Sequence, residues 1–302
     1  MAKVLAIASG KGGVGTTTII ANLALALANE GLTVTAVDMA LGSSNLNGSF
    51  GLPNRFPGVG DFLFSSGKGS LEDFIVSSGF DNVAFLAGDG RTPFLADITW
   101  PLRQRLLEEL PTLPGDLVLL DLRSGWAFST IDFLVCADRA FLIASPSRAS
   151  AMGVLSLCKN MVLRAAGLAI RKDKAAMSVF AHIVRRPLDE QGYRLVDMVE
   201  EISASSPACA ELIWRDCKKL QPQLLLSQVK GACDGRLVTS MAKQLNERLN
   251  LKLPFFGSVD FDELVGDGAR SLVVHHNPKS KIAADFKELA KRTMDLLAET
   301  AE

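Results

Sequence analysis

Ser9-Gly10-Lys11-Gly12-Gly13-Val14-Gly15-Thr16-Thr17-Thr18 has the residue types and spacing to hold a phosphate. Glycines let backbone N–H groups close around phosphate oxygens, and a helix N-terminus adds a favourable dipole. The general phosphate-loop pattern is G-x-x-x-x-G-K-[ST]. Gly10 and Gly15 hold its two glycine positions, and Thr17 holds the hydroxyl that ligands a magnesium ion. Thr16 stands where the pattern has lysine, while another lysine, Lys11, follows the first glycine directly. The plain alternative is a glycine-rich turn with no ligand. The apolar run Val4–Ala8 before the loop and the helix-like run Ile19–Ala28 after it favour the phosphate site.

A magnesium ion also needs a carboxylate. The apolar stretch Leu117-Val118-Leu119-Leu120 ends on Asp121, placed to hold the ion through a water. The competing reading is a strand-terminal Asp that caps the next helix. Asp38 ends a second apolar stretch, Val34–Val37, and could be a hydrogen-bonded turn residue. A dinucleotide-binding reading also stands, because Gly10 to Gly15 spells G-x-G-x-x-G and Asp38 could bind a ribose. Thr16-Thr17 after the last glycine, together with Asp121, favours the phosphate loop.

These residues need a scaffold that brings strand ends together. Apolar strands are expected at Val4–Ala8, Thr33–Asp38, Val83–Gly88, Asp116–Asp121, Ala140–Ser145, Gln223–Val229 and Phe255–Val259. Helices are expected between them, at Leu102–Leu110, Met152–Leu168, Leu237–Leu249, Glu263–Ala269 and Lys281–Leu297. Unbroken apolar strands alternating with helices predict an α/β fold, with a mostly parallel central sheet flanked by helices on both faces. The ligand then sits at the carboxyl ends of the strands. Residues from about 169 to 222 break the rhythm and read as a helical insertion in a single domain spanning 1–302. Within it Val179–Val184 could be a strand.

Lys11-Gly12-Gly13-Val14-Gly15 resembles the deviant phosphate loop of the MinD/ParA family of dimeric ATPases. Val37-Asp38-Met39-Ala40-Leu41-Gly42 resembles its first switch segment, and Asp121-Leu122-Arg123-Ser124-Gly125 its second. Gln223–Lys230, Leu253–Asp262 and Asn277–Ala283 resemble its later segments, so the likeness runs almost the whole chain. The insertion resembles that of the FlhG/FleN-like flagellar-number regulators. The resemblance implies ATP or ADP with Mg2+ as cofactors. It implies nucleotide binding by Gly10, Lys11, Gly12, Gly13, Val14, Gly15, Thr16, Thr17 and Thr18. Ser227 occupies the position of an asparagine that reads the base. Thr17 and Asp121 take the metal positions. Lys11, which in the family crosses a dimer interface, and Asp38, the first carboxylate of its switch, are the catalytic candidates. Thr16, Ala40 and Ser227 depart from the family pattern at a lysine, a water-orienting aspartate and the asparagine. An alanine cannot accept a proton or position water, so hydrolysis is expected to be impaired. Three functions follow: a nucleotide-binding regulator, a slow ATPase, or a scaffold that binds no nucleotide.

The net charge of −1 excludes bulk electrostatic binding of nucleic acid. Five cysteines, with no C-x-x-C pair, suggest reduced, buried thiols in a cytoplasm. No apolar run reads as long enough to span a bilayer, and the last helix ends short and acidic. Membrane association is therefore not expected without a partner. A homodimer and an unidentified protein partner are expected. Trp100, Trp126 and Trp214 read as packing anchors.

Overall fold

The computed structural model describes residues 1–302 except 66–68, 89–91, 93–94, 187–193, 232–234, 264, 266–267 and 300–302. Eight strands form one sheet: β1 (Lys3–Ser9), β2 (Val34–Met39), β3 (Ile75–Phe80), β4 (Val83–Leu86), β5 (Leu117–Leu122), β6 (Arg139–Ala144), β7 (Pro222–Val229) and β8 (Phe255–Asp260). Their order is β3-β4-β2-β5-β1-β6-β7-β8. β3 and β4 are antiparallel, and the other pairs are parallel. β2, β5 and β6 are buried along their whole length, which is why they read as unbroken apolar runs.

The helices are α1 (Thr16–Asn29), α2 (Leu46–Ser49), α3 (Val59–Phe64), α4 (Trp100–Glu109), α5 (Phe128–Cys136), α6 (Arg148–Ile170), α7 (Lys174–Val184), α8 (Leu195–Ser203), α9 (Pro207–Lys218), α10 (Gly235–Leu249), α11 (Val273–His276) and α12 (Lys281–Ala298). One core packs α1, α2, α11 and α12 on one sheet face, around Leu5, Ile7, Leu117 and Leu119. The other packs α3 to α10 around Val118, Leu120 and Leu122. The alternation of Leu117 to Leu122 between the two cores is the strand period of two. β1 lies between β5 and β6, and the chain leaves β1 towards β2 but crosses from β5 to β6 on the other side. That reversal opens a crevice at the strand ends, where a ligand binds in open α/β sheets.

The structure departs from the sequence reading in several places. β3 was not expected. Val179–Val184 is not a strand but the last half of α7, whose N-cap Asp173 accepts from the Ala176 N–H at 2.9 Å. It belongs to a three-helix run, α7–α9, between β6 and β7. The buried residues of that run, such as Ile183, Met198 and Ile213, share the core of α6. The expected helix at Glu263–Ala269 lies partly outside the described residues; Glu263 and Val265 are not helical, and Gly268 and Ala269 open a 3-10 turn, Gly268–Ser271. By length and composition α6 is apolar enough to cross a membrane, against the expectation from sequence, but half of its apolar window is buried within the protein. Cys136 and Trp126 are exposed rather than buried. Cys158, Cys209 and Cys217 are buried, and Cys233 lies outside the described residues.

Candidate functional site

β1 delivers the chain into the loop at Gly10, and Gly15 ends the loop in the left-handed region, with φ of 81°. Only glycine adopts that conformation without strain, and it turns the chain directly into α1. Ile19 is the first residue of α1 whose N–H finds an acceptor one turn back, Gly15 O at 2.9 Å. The N–H groups of Thr16, Thr17 and Thr18 are the orphan donors of that first turn. No side chain caps them.

The loop carbonyls are turned towards protein partners. Ser9 Oγ donates to Lys11 O at 3.0 Å, Gln228 Nε2 to Gly13 O at 3.0 Å, and Ser227 Oγ to Val14 O at 2.6 Å. Carbonyls held outward leave the loop free to present N–H groups to an anion. Ser227 is buried, and its hydroxyl is committed to the loop backbone. Gln228 reaches its bond from a left-handed backbone, φ 56°. At the loop's start, Gly10 lies flat against Gly153 of α6, and a Cβ on Gly10 would overlap the Gly153 carbonyl.

Register places the two carboxylates side by side. Asp38 on β2 is level with Asp121 on β5, and Ile7 on β1 with Asp121 from the other side. Asp38 is fully buried and accepts from the backbone N–H groups of Ala40 (3.1 Å), Asn45 (2.9 Å) and Leu46 (2.9 Å). It thus folds the first switch segment and anchors the start of α2. Asp121 is also buried, and its Oδ2 has no hydrogen-bond partner. Burial pushes the Asp121 carboxyl well above the usual carboxylate range; the charge of Asp38 pushes the same way, and hydrogen bonding by Thr17 opposes both. A buried carboxylate with an open oxygen beside a threonine hydroxyl is a place for a divalent cation. Ala40 contributes no side-chain ligand; its N–H serves Asp38 and its carbonyl accepts from Ser43 N at 2.8 Å.

The second switch segment touches the loop. Gly125 N–H donates to Ser9 O at 2.8 Å, and Ser124 Oγ lies 3.5 Å from where a Cβ on Gly12 would stand. Lys11 and Arg123 are exposed beside these contacts. A cleft of about 160 Å³ opens beside α1, lined by Gly15, Thr18, Ser227, Phe261 and Ile282 among others. A larger groove, about 480 Å³, lies at the opposite ends of the strands around Thr33, Thr35 and Asn82, and neither carboxylate reaches it. Among the described residues, no group of three or more His, Cys, Asp or Glu forms a metal cluster. His275 packs edge-on against Phe80 and His276.

Sequence reasoning missed Gly153 and Gln228. A glycine inside a long helix is a signal of close packing, and Gly153 carried it. Nothing in the sequence marked the left-handed turn at Gln228.

The family model for the CobQ/CobB/MinD/ParA nucleotide binding domain matches residues 5–271. The septum site-determining protein MinD of Helicobacter pylori is 31% identical over 150 residues, half of this chain and 55% of that protein. The chain thus spans about half the length of this relative. The Pyrococcus furiosus cell division ATPase MinD superposes with a TM-score of 0.63 at 20% identity, covering 98% of this chain and 100% of that one. The Pyrococcus horikoshii MinD, solved in complex with Mg-ADP, gives 0.61 at 20% identity over 98% of each chain. At such identities these two likenesses are of fold. With the loop, the paired carboxylates and a family match over most of its length, the chain belongs to the CobQ/CobB/MinD/ParA nucleotide-binding family.

Proposed function

We propose that this chain binds ATP with Mg2+ on Gly10–Thr18, dimerises over it through Lys11, and hydrolyses it slowly or not at all. The observation that carries this reading is the open Oδ2 of buried Asp121, beside Thr17 at the mouth of a preformed loop. A divalent cation supplies positive charge to nucleotide phosphates and satisfies that oxygen. The residues present fit the group: Thr17 and Asp121 hold the ion, loop N–H groups hold phosphate oxygens, and the cleft by Ser227 takes the base.

The departures in the site bear on hydrolysis. Thr16 leaves no lysine at the phosphate-loop position, and Ala40 leaves no carboxylate to orient water. Asp38, engaged by three backbone N–H groups, holds the switch in shape. Exposed Lys11 is then the cation a second copy supplies. Trp126, Phe128 and Met152 are 55%, 68% and 54% exposed on segments that touch the loop, and such apolar exposure suits a protein–protein face. A loaded dimer that turns over slowly serves in the cytoplasm as a platform for a protein partner, regulating or positioning a machine such as a polar flagellum or pilus.

Light scattering with and without Mg2+·ATP tests the dimer. Wild type should shift from monomer to dimer, and Lys11→Ala should not. A monomer at saturating ATP, or a Lys11→Ala variant that dimerises equally well, refutes this mechanism.

A further inference from the structure

We infer that Arg123 replaces the missing phosphate-loop lysine, its guanidinium neutralising the nucleotide's terminal phosphates from within the same chain. This inference rests on the nucleotide-binding reading above. Thr16 leaves the loop without the lysine that would meet the same chain's nucleotide, and a triphosphate bound there lacks that charge-assisted contact.

The segment that follows β5 brings Arg123 to the phosphate loop. Leu117 and Leu119 face the core beneath α1, whereas Val118, Leu120 and Leu122 face the opposite core. Asp121, next in the first series, opens onto Thr17. Arg123 is the first residue past β5, two residues beyond Asp121. The segment is also fastened there. Thr130 Oγ1 donates to Arg123 O at 3.3 Å, Gly125 N–H to Ser9 O at 2.8 Å, and Ser124 Oγ stands against Gly12.

Two other arginines are engaged elsewhere. Arg103 and Arg164 both bind buried Asp132, at 2.7 and 2.5 Å. Arg123 is exposed and makes no ion pair among the described residues. A guanidinium presents a planar fork that matches phosphate oxygens in pairs, which an ammonium does not. Lys11 differs in role: it serves the partner's nucleotide, whereas Arg123 serves its own.

The test is calorimetric binding of Mg2+·ATP to four full-length proteins: wild type, Arg123→Ala, Thr16→Lys, and the double variant. Arg123→Ala should weaken binding roughly 10- to 100-fold, the range for losing a hydrogen-bonded charge. Thr16→Lys should restore binding in the Arg123→Ala background by far more than it improves wild type, a non-additivity that marks two residues filling one role. Arg123 is exposed, so thermal melting should show all four folded. Wild-type binding with an unaffected Arg123→Ala variant overturns the inference alone. So does a double variant no better than Arg123→Ala. A folded wild type that binds no nucleotide overturns both this inference and the reading beneath it.

Discussion

Gly153 lies inside α6, where replacing glycine by alanine normally stabilises a protein by about 0.5–1 kcal/mol. Here the sign should reverse. A Cβ on Gly153 would stand 2.8 Å from Gly10 C, 2.9 Å from its O and 3.0 Å from its Cα. Carbon atoms at rest sit about 3.5–4.0 Å apart, so loop and helix must separate by roughly 0.5–1 Å. Every atom met is backbone, which cannot rotate aside. Overpacking of this kind costs about 1–3 kcal/mol, and set against the helix-propensity gain it leaves a net loss of up to about 2.5 kcal/mol. For domains somewhat smaller than this one, 1 kcal/mol moves the melting temperature about 2–4 °C. Gly153→Ala should therefore melt a few degrees below wild type and bind Mg2+·ATP more weakly, because Gly10 has moved. Gly167→Ala, in the same helix, is the control. Its Cβ would stand 3.1 Å from the edge of the Phe180 ring, a side chain able to give way, and its stability should change little. A Gly153→Ala protein that melts above wild type with unchanged nucleotide affinity refutes the claim that α6 fixes the loop.

Asp121 predicts a pH dependence. Its folded carboxyl titrates above the unfolded value of about 4, so the stability it contributes is complete below that value and is lost as pH rises through the folded one. In chelator, urea midpoints should fall across that window for wild type and fall less for Asp121→Asn; parallel curves would refute the assignment. Asp132 is buried between Arg103 and Arg164, so Asp132→Ala strands two partly exposed guanidinium groups and should destabilise by about 3 kcal/mol, read from urea unfolding. Phosphate release from wild type should stay far below the ~1 s⁻¹ lower end of kinase turnover. Thr16→Lys with Ala40→Asp should raise it, and a double variant no faster than wild type would count against the roles given to both positions.

Much of the scaffold was legible because the parallel strands are buried on both faces and so spell themselves as apolar runs. β5 shows why the candidate site was legible too: an apolar strand that turns to a carboxylate at Asp121, next to its last residue, has reached the carboxyl edge of the sheet. β3 escaped because it is an antiparallel edge strand. Ile75 and Val76 are only half-buried, and its register shifts between Ser77 and Phe80 next to the left-handed Gly79. Val179–Val184 misled because a β-branched run packs in helices as well. Ala176 and Ile183, seven residues apart and both buried, mark the helical face. The hydrogen bonds that hold the loop carbonyls outward were beyond sequence. Ser227 and Gln228 lie more than two hundred residues from Val14 and Gly13, and only the β7 crossover brings them together.

In the proposed function the loop, Thr17 and Asp121 form a working Mg2+–nucleotide site despite the missing lysine. Titrating ATP into the purified, folded chain by calorimetry, once with Mg2+ and once with chelator, tests it most directly. Binding should be saturable with Mg2+ and weaken markedly when the ion is removed. No binding in either condition, or equal binding in both, would contradict it.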